Sequence, residues 1–147
     1  MINIISEPKG ETYKALLQLA AEKCASFSLT WRDQLEFSNN ADELIKILAP
    51  YLLREEQTNK WPGTQLLDST ALVRHYRFTK ETQEILLRMP SLYSWKAPDF
   101  PEDLALYKTD SRCWLLTISH EQDAVIESTL DVEDIQLLVP GLLVEKT

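Results

Sequence analysis

Residues 104–119, LALYKTDSRCWLLTIS, contain two apolar runs that are separated by the polar triplet TDS. Both runs favour extended structure and the triplet is typical of a turn, so the stretch predicts a β-hairpin at about residues 103–119. The second run is apolar at nearly every position, which is the pattern of a strand that is buried on both faces. We therefore expect this hairpin at the centre of a sheet, and the pattern leaves open whether that sheet is mixed or antiparallel.

Segments upstream of the hairpin alternate between helical and strand-like patterns. Apolar residues recur at helical spacing in residues 11–27, which places Cys24 on the buried stripe of an amphipathic helix. Apolar and polar residues then alternate from Phe27 to Arg32, which predicts a half-buried strand. Helical spacing returns in residues 41–52, where Pro50 is expected to divide the helix into two short pieces.

The remaining segments complete a prediction of the fold class. Residues 70–78 are rich in β-formers, and Thr79 is a suitable N-cap for a short helix that follows them. Residues 124–129 predict another strand, and Asp131 a cap for a final helix. Together these elements predict one α+β domain over residues 1–147, with a central sheet flanked by amphipathic helices.

The composition is that of a folded protein outside membranes. Of 147 residues, 44% are hydrophobic and 26% are charged, as in ordinary globular domains. No segment resembles a signal peptide, and no apolar stretch approaches the roughly 20 residues that span a bilayer. Cys24 and Cys113 lie far apart and lack C-x-x-C spacing, which favours reduced thiols. We therefore expect a cytoplasmic protein without membrane insertion.

Negative charge is concentrated at the C-terminal end of the chain. The formal net charge is −8, and the segment Ser119–Thr147 contains seven acids and one base. A field of this sign repels nucleic acid and attracts basic proteins. The alternative is a solvated acidic face that has no partner.

The large nucleotide-binding and hydrolase classes are excluded in their standard form. The chain has only three glycines, Gly10, Gly63 and Gly141, and they are scattered, so a P-loop, a dinucleotide-binding fingerprint and a nucleophile elbow are all absent. Its histidines and cysteines are solitary, whereas structural zinc sites need them clustered. We expect no metal site and no cofactor.

His120 is the main candidate for chemistry because it follows directly after the predicted central strand. Glu121 and Asp103 are the candidates to act beside it, although side chains of sequence neighbours such as His120 and Glu121 rarely meet. A catalytic histidine also needs a nucleophile or an activated water. The alternative is a structural His120 that hydrogen-bonds the backbone at the strand end.

Aromatic residues in two loops are candidates for binding. Pro62 and Gly63 suit a type II turn that follows Trp61, and residues 91–103, SLYSWKAPDFPED, suit an extended loop that carries Trp95 and Phe100. Such aromatics either anchor a partner or cover the core. The predicted binding residues are Trp61, Trp95, Phe100, Glu121, Asp123 and Glu127.

One part of the chain resembles a known group of proteins. The segments WPGT (61–64), PEDLALY (101–107) and WLLTISHE (114–121) resemble small bacterial proteins that share W-P-G-T, P-E-D-L and S-H-E elements. The group has no established activity, so the resemblance implies a bacterial origin and assigns no catalytic residue. It draws attention to Trp61, Pro62, Gly63, Glu102, Asp103, His120 and Glu121.

Two functional hypotheses follow. The first is a non-enzymatic interaction protein whose acidic C-terminal surface holds a basic protein partner, by analogy with small acidic bacterial proteins that neutralise toxins. The second is a small hydrolytic or metal-dependent enzyme whose site lies around His120 and the two aromatic loops. A regulatory or structural subunit would have a similar sequence.

Overall fold

The computed structural model describes all 147 residues. Four α-helices and ten β-strands alternate along the chain. The helices are α1 (Glu11–Lys23), α2 (Asn39–Leu48), α3 (Lys80–Leu86) and α4 (Val132–Leu138). The strands are β1 (Ile2–Ile4), β2 (Ser26–Arg32), β3 (Leu52–Thr58), β4 (Lys60–Trp61), β5 (Thr64–Gln65), β6 (Ala71–Arg77), β7 (Glu102–Tyr107), β8 (Cys113–Ile118), β9 (Asp123–Ile126) and β10 (Val144–Lys146).

Eight of the strands form one sheet in the order β10-β1-β9-β8-β7-β2-β6-β3, and β4 pairs with β5 in a separate hairpin. Every strand pair is antiparallel, which decides between the two kinds of sheet that the sequence left open. The predicted hairpin is confirmed as β7 and β8, which lie in the middle of the sheet. The α+β class is confirmed as well.

One face of the sheet, the inner face, carries the main core. Directly paired side chains point to the same face of a sheet. The register sets one row of buried side chains across six strands, namely Ile2, Ile126, Leu115, Leu106, Phe27 and Tyr76. All four helices contribute buried residues to the same hydrophobic cluster, so the helices cover the inner face.

Local sequence signals explain where several helices begin and end. The side chains of Thr79 and Thr82 form a reciprocal capping box at the start of α3, as the cap prediction required. Pro50 lies in a 3₁₀ turn, Ala49–Tyr51, that follows α2, so the helix breaks where expected. None of the four helices combines the length and the apolar character needed to cross a lipid bilayer.

The opposite, outer face is covered in its middle by the β4–β5 hairpin. Trp61 packs on Ala71 and Val73 of β6, and Gly63 lies against Leu116 and Ile118 of β8. Gly63 has a φ of +86°, and a Cβ there would stand 3.0 Å from Leu116, so both the turn and the close approach require glycine. This positive φ is the one that the predicted type II turn requires at Gly63.

Three expectations about upstream elements were wrong in detail. The strand β2 is buried on both faces rather than half-buried, because it is a central strand with neighbours on each side. The helix α1 ends at Lys23, so Cys24 is buried at its C-cap rather than within the helix. The helical spacing predicted through Leu52 ends earlier, because Leu52 starts the edge strand β3.

Candidate functional site

Four charged or titratable side chains meet at one edge of the outer face, where strand ends converge. Arg32 ends β2, Glu102 and Asp103 begin β7, and His120 lies in the 3₁₀ turn Ser119–Glu121 directly after β8. The register of β2 on β7 shifts near Thr30, and Asp103 has a φ of 54°, in the left-handed region. This irregular backbone brings two consecutive carboxylates inside the protein instead of sending them to opposite faces. We call these four residues the charge cluster.

Arg32 lies between the two carboxylates of the charge cluster and offsets part of their negative charge. Its Nε lies 3.4 Å from Glu102 Oε1, and its Nη2 lies 3.5 Å from Asp103 Oδ2. Both carboxylate side chains are 0% exposed, and the Arg32 side chain is 16% exposed. Buried charges persist only when they are paired, so Arg32 is what allows two carboxylates to lie together in the interior.

His120 contacts Glu102, not its sequence neighbour Glu121. Its Nε2 touches Glu102 Oε2, and the His120 side chain is 47% exposed, so the imidazole connects a buried carboxylate with solvent. Glu121 is exposed and takes no part in the contact. The expectation that Glu121 is poorly placed to orient His120 agrees with this geometry, while Glu102 had been singled out only by the resemblance.

Asp103 holds the β4–β5 hairpin to the sheet. Trp61 Nε1 donates a hydrogen bond of 2.9 Å to Asp103 Oδ2, and the backbone N–H of Ser119 donates one of 2.9 Å to Oδ1. The Arg32 guanidinium carbon also lies 5.4 Å from the centre of the Trp61 ring, in a cation–π contact. Trp61 is only 5% exposed, so this predicted binding residue is buried and attaches the β4–β5 hairpin to the sheet.

Burial raises the pKa of Glu102 above its ordinary value, and Asp103 raises it further, while the cations His120 and Arg32 oppose the shift. Glu102 therefore binds a proton more tightly in the folded chain than in the unfolded chain.

Catalysis at His120 would need an accessible nucleophile or an activated water beside the imidazole. An imidazole oriented by a buried carboxylate is the arrangement of a general base. The hydroxyl next to it in sequence belongs to Ser119, which is fully buried and accepts a hydrogen bond of 3.3 Å from the Asp103 N–H. His75 lies elsewhere, on β6, where it packs on Tyr107 and contacts Glu56. The enzymatic hypothesis stays a hypothesis.

Trp95 and Phe100 lie in the loop between the 3₁₀ turn Leu92–Ser94 and β7, and they pack on each other. Their ring centres are 5.8 Å apart in an edge-to-face arrangement, and Trp95 is 1% exposed. Trp95 Nε1 donates a hydrogen bond to Tyr13 Oη, which in turn donates to the Leu86 carbonyl. Of the two alternatives for these loop aromatics, Trp95 covers the core, because its ring is buried and hydrogen-bonded to Tyr13, and it does not present a binding surface.

A second surface is more accessible than the charge cluster. It is the outer face of β9, β1 and β10, which the β4–β5 hairpin does not reach. Asn3 pairs with Val125 on one side and Glu145 on the other, and Ile5 N donates to the Leu143 carbonyl, which fixes the neighbours on this face. We call it the open face, and by the alternation of side chains it consists of Met1, Asn3, Ile5, Asp123, Val125, Glu127, Leu143 and Glu145.

The predicted acidic residues divide between the open face and its surroundings. Asp123 and Glu127, two of the predicted binding residues, lie on the open face together with Glu145. The other four acids of the segment after Ser119 lie beside His120 or at the start of α4. All seven, Glu121, Asp123, Glu127, Asp131, Glu133, Asp134 and Glu145, are exposed, and none has a cationic side chain within 4.0 Å.

The charge of the open face varies along its strands. At the Met1 end a cavity of about 350 Å³ is lined by Met1 and Glu127 together with three cations, Lys23, Lys108 and Arg112. These cations partly offset Glu127. Asp123, at the opposite end, and Glu145, in the middle of the face, have no such cations beside them in this cavity.

No group of three or more histidine, cysteine, aspartate or glutamate side chains is placed to hold a metal ion. Comparison of the chain with protein families, with curated proteins and with solved structures finds no match. The resemblance of residues 61–121 to a group of bacterial proteins therefore stays a prediction.

Proposed function

We propose that this protein binds a basic partner protein through the open face. The proposal rests on one observation: exposed apolar side chains and carboxylates without internal partners lie side by side on three neighbouring strands. Cytoplasmic location is part of the proposal, and both cysteines are free, as reduced thiols would be there.

The apolar residues supply the attraction that such a contact needs. Met1 is 60% exposed, Ile5 is 58% exposed and Leu143 is 53% exposed. Single exposed apolar side chains are ordinary on protein surfaces, but apolar side chains that adjoin each other within a polar border are typical of an interaction site. Ile5 and Leu143 adjoin in this way, and Met1 lies at the other end of the open face. Burial of these side chains would favour association in proportion to the area removed from water.

The carboxylates define which partner fits. Asp123, Glu127 and Glu145 have no internal ion pair. Because cations partly offset Glu127, the charge available to another molecule is mainly that of Asp123 and Glu145. Complementary charge raises the rate of encounter and rejects acidic competitors more than it adds affinity. A partner with lysines or arginines around an apolar centre would therefore match this surface.

The proposed contact extends from the open face onto α4. A stable interface of standard size buries about 800 Å² on each partner, which is more than three short strands offer. The helix α4 packs beside β10 and exposes Leu137 (80%) and Leu138 (50%), with Glu133 and Asp134 in its first turn. Exposed apolar and acidic side chains thus continue from the open face around the sheet edge onto α4. Proteins that neutralise basic toxins use surfaces of this kind, and that comparison is an analogy only.

Neutralising the open face should remove a specific partner. We would use the wild type, the triple variant D123N/E127Q/E145Q and the control E22Q/E36Q/E84Q as baits in an extract of the source cells. The control changes three exposed acids that lie outside the open face and form no ion pair. The two triple variants therefore change the formal net charge of −8 by the same amount. We expect a basic protein that is retained by the wild type and the control and lost from the open-face variant.

Salt provides the second readout of this capture. Raising the ionic strength from about 0.15 M to 1 M shortens the screening length from about 8 Å to 3 Å, which should weaken the capture. The proposal fails if both triple variants retain the same proteins, or if the retained basic protein is lost equally from both.

A further inference from the structure

The strand β3 forms the other end of the sheet and has no partner on its outward side. It pairs only with β6, through a regular register from Arg54 to Thr58. None of its seven residues is buried, and Leu53 is 52% exposed. A free edge of this length presents unpaired backbone N–H and C=O groups that another strand can use.

The side chains of β3 have a self-complementary order of charges. Arg54 and Glu56 lie on one face of the strand, two residues apart, with their charged atoms 3.0 Å from each other. In an antiparallel pair of two β3 strands with Glu55 at the centre, Arg54 of each copy would face Glu56 of the partner subunit. Natural edges avoid pairing by means of charged side chains, prolines and bulges. β3 contains no proline, its one bulge lies before the regular register that begins at Arg54, and its charges at Arg54 and Glu56 are opposite in sign.

The negative charge of Glu55, at the centre of this arrangement, is also compensated. Two copies of Glu55 would face each other, and like charges opposite each other are unfavourable. Each Glu55 already has Arg74 on β6 as a neighbour, with Nε 3.3 Å from Oε1. The Arg74 side chain is only 14% exposed, so this cation stays in place on the sheet.

We propose that the chain forms a homodimer by antiparallel pairing of β3 with β3 of a second copy, with Glu55 at the two-fold axis. The sheet then continues from one subunit into the other. Because β3 and β10 are at opposite ends of the sheet, the dimer leaves both open faces free. The inference is independent of the proposed partner binding.

Charge reversal at β3 tests the pairing. Sedimentation equilibrium at protein concentrations from about 10 to 500 µM should give wild-type masses that approach twice the 17.0 kDa of one chain. R54E and E56R each place like charges opposite each other and should raise the dissociation constant about tenfold or more. The double variant R54E/E56R restores opposite charges in the Glu55-centred register and should return the constant close to that of the wild type.

Controls separate edge pairing from net charge. R112E and E22R make the same charge changes at exposed positions away from β3 and should leave the dissociation constant unchanged. Arg54 and Glu56 are on the surface, so all variants are expected to fold, and circular dichroism checks this. A monomeric wild type across the range overturns the proposal. So does a dimer that the single reversals leave intact, or one that the double variant fails to restore.

Discussion

Replacing Trp95 with alanine is expected to lower the free energy of unfolding by about 3–5 kcal/mol, the cost of removing a buried tryptophan from a packed core. The Trp95 ring is 1% exposed and packs edge-to-face on Phe100. Its loss also removes the hydrogen bond that Tyr13 Oη accepts. Urea unfolding at pH 7, followed by circular dichroism, measures the change.

Two further variants keep this prediction testable if W95A does not fold. W95F retains most of the ring volume and loses the hydrogen bond to Tyr13, for an expected cost of about 1–2 kcal/mol. L67A removes an apolar side chain that is 90% exposed and should change stability by no more than about 0.5 kcal/mol. If W95A were as stable as L67A, Trp95 would not be a core residue, and its candidacy as a binding anchor would return.

Replacing Arg32 with alanine is expected to cost about 3 kcal/mol, because removal of one partner from a buried ion pair leaves uncompensated charge inside the protein. Glu102 and Asp103 are both 0% exposed and would lose their shared guanidinium. R112A is the matched control, since Arg112 is 75% exposed and pairs with exposed Asp110, where ion pairs contribute little. Equal small losses in R32A and R112A would show that the charge cluster does not stabilise the fold.

The same cluster should make stability depend on pH in a defined direction. The pKa of Glu102 is raised by burial above its ordinary value of 4.5, so the unfolded chain loses this proton first as pH rises. Glu102 therefore reduces stability as pH increases from about 4.5 through its raised pKa. The variant E102Q lacks this titrating group, so its free energy of unfolding should rise relative to that of the wild type as pH increases through this range. The free energy of unfolding of R32A should fall further below that of the wild type over the same range.

Much of the fold is predictable from local patterns, but the sheet edges are not. The β7–β8 hairpin and β2 are recognised because their apolar residues follow strand periodicity over several positions. β1 and β10 are three residues long, too short for any period to show. β3 has no apolar alternation because it is exposed on both sides, and the preceding helical pattern extends into its first residue.

Only some residues of the charge cluster and of the open face can be recognised from the sequence. His120 and Asp103 are identifiable as polar residues at the ends of strands, but Arg32 reads as an ordinary outward residue of β2. Its role depends on the β2–β7 register, which no local pattern encodes. The acids Asp123, Glu127 and Glu145 are visible in the sequence. Their apolar neighbours are not, because Met1, Ile5 and Leu143 become adjacent to them only through pairing of distant strands.

The outer face of the sheet has a covered part and an open part. The charge cluster, Trp61 and Gly63 hold the β4–β5 hairpin over the middle of the outer face, which protects the central strands from solvent. The three strands beyond the reach of this hairpin keep their outer side chains exposed. Partner binding at the open face would therefore require no change in the core.

Partner binding at the open face can be tested by hydrogen–deuterium exchange of the protein with and without the captured basic partner. We expect slower exchange of backbone amides in β9, β1 and β10 and in α4 when the partner is bound, with β4–β5 and the charge cluster unchanged. Protection confined to the loops around His120 would contradict partner binding at the open face.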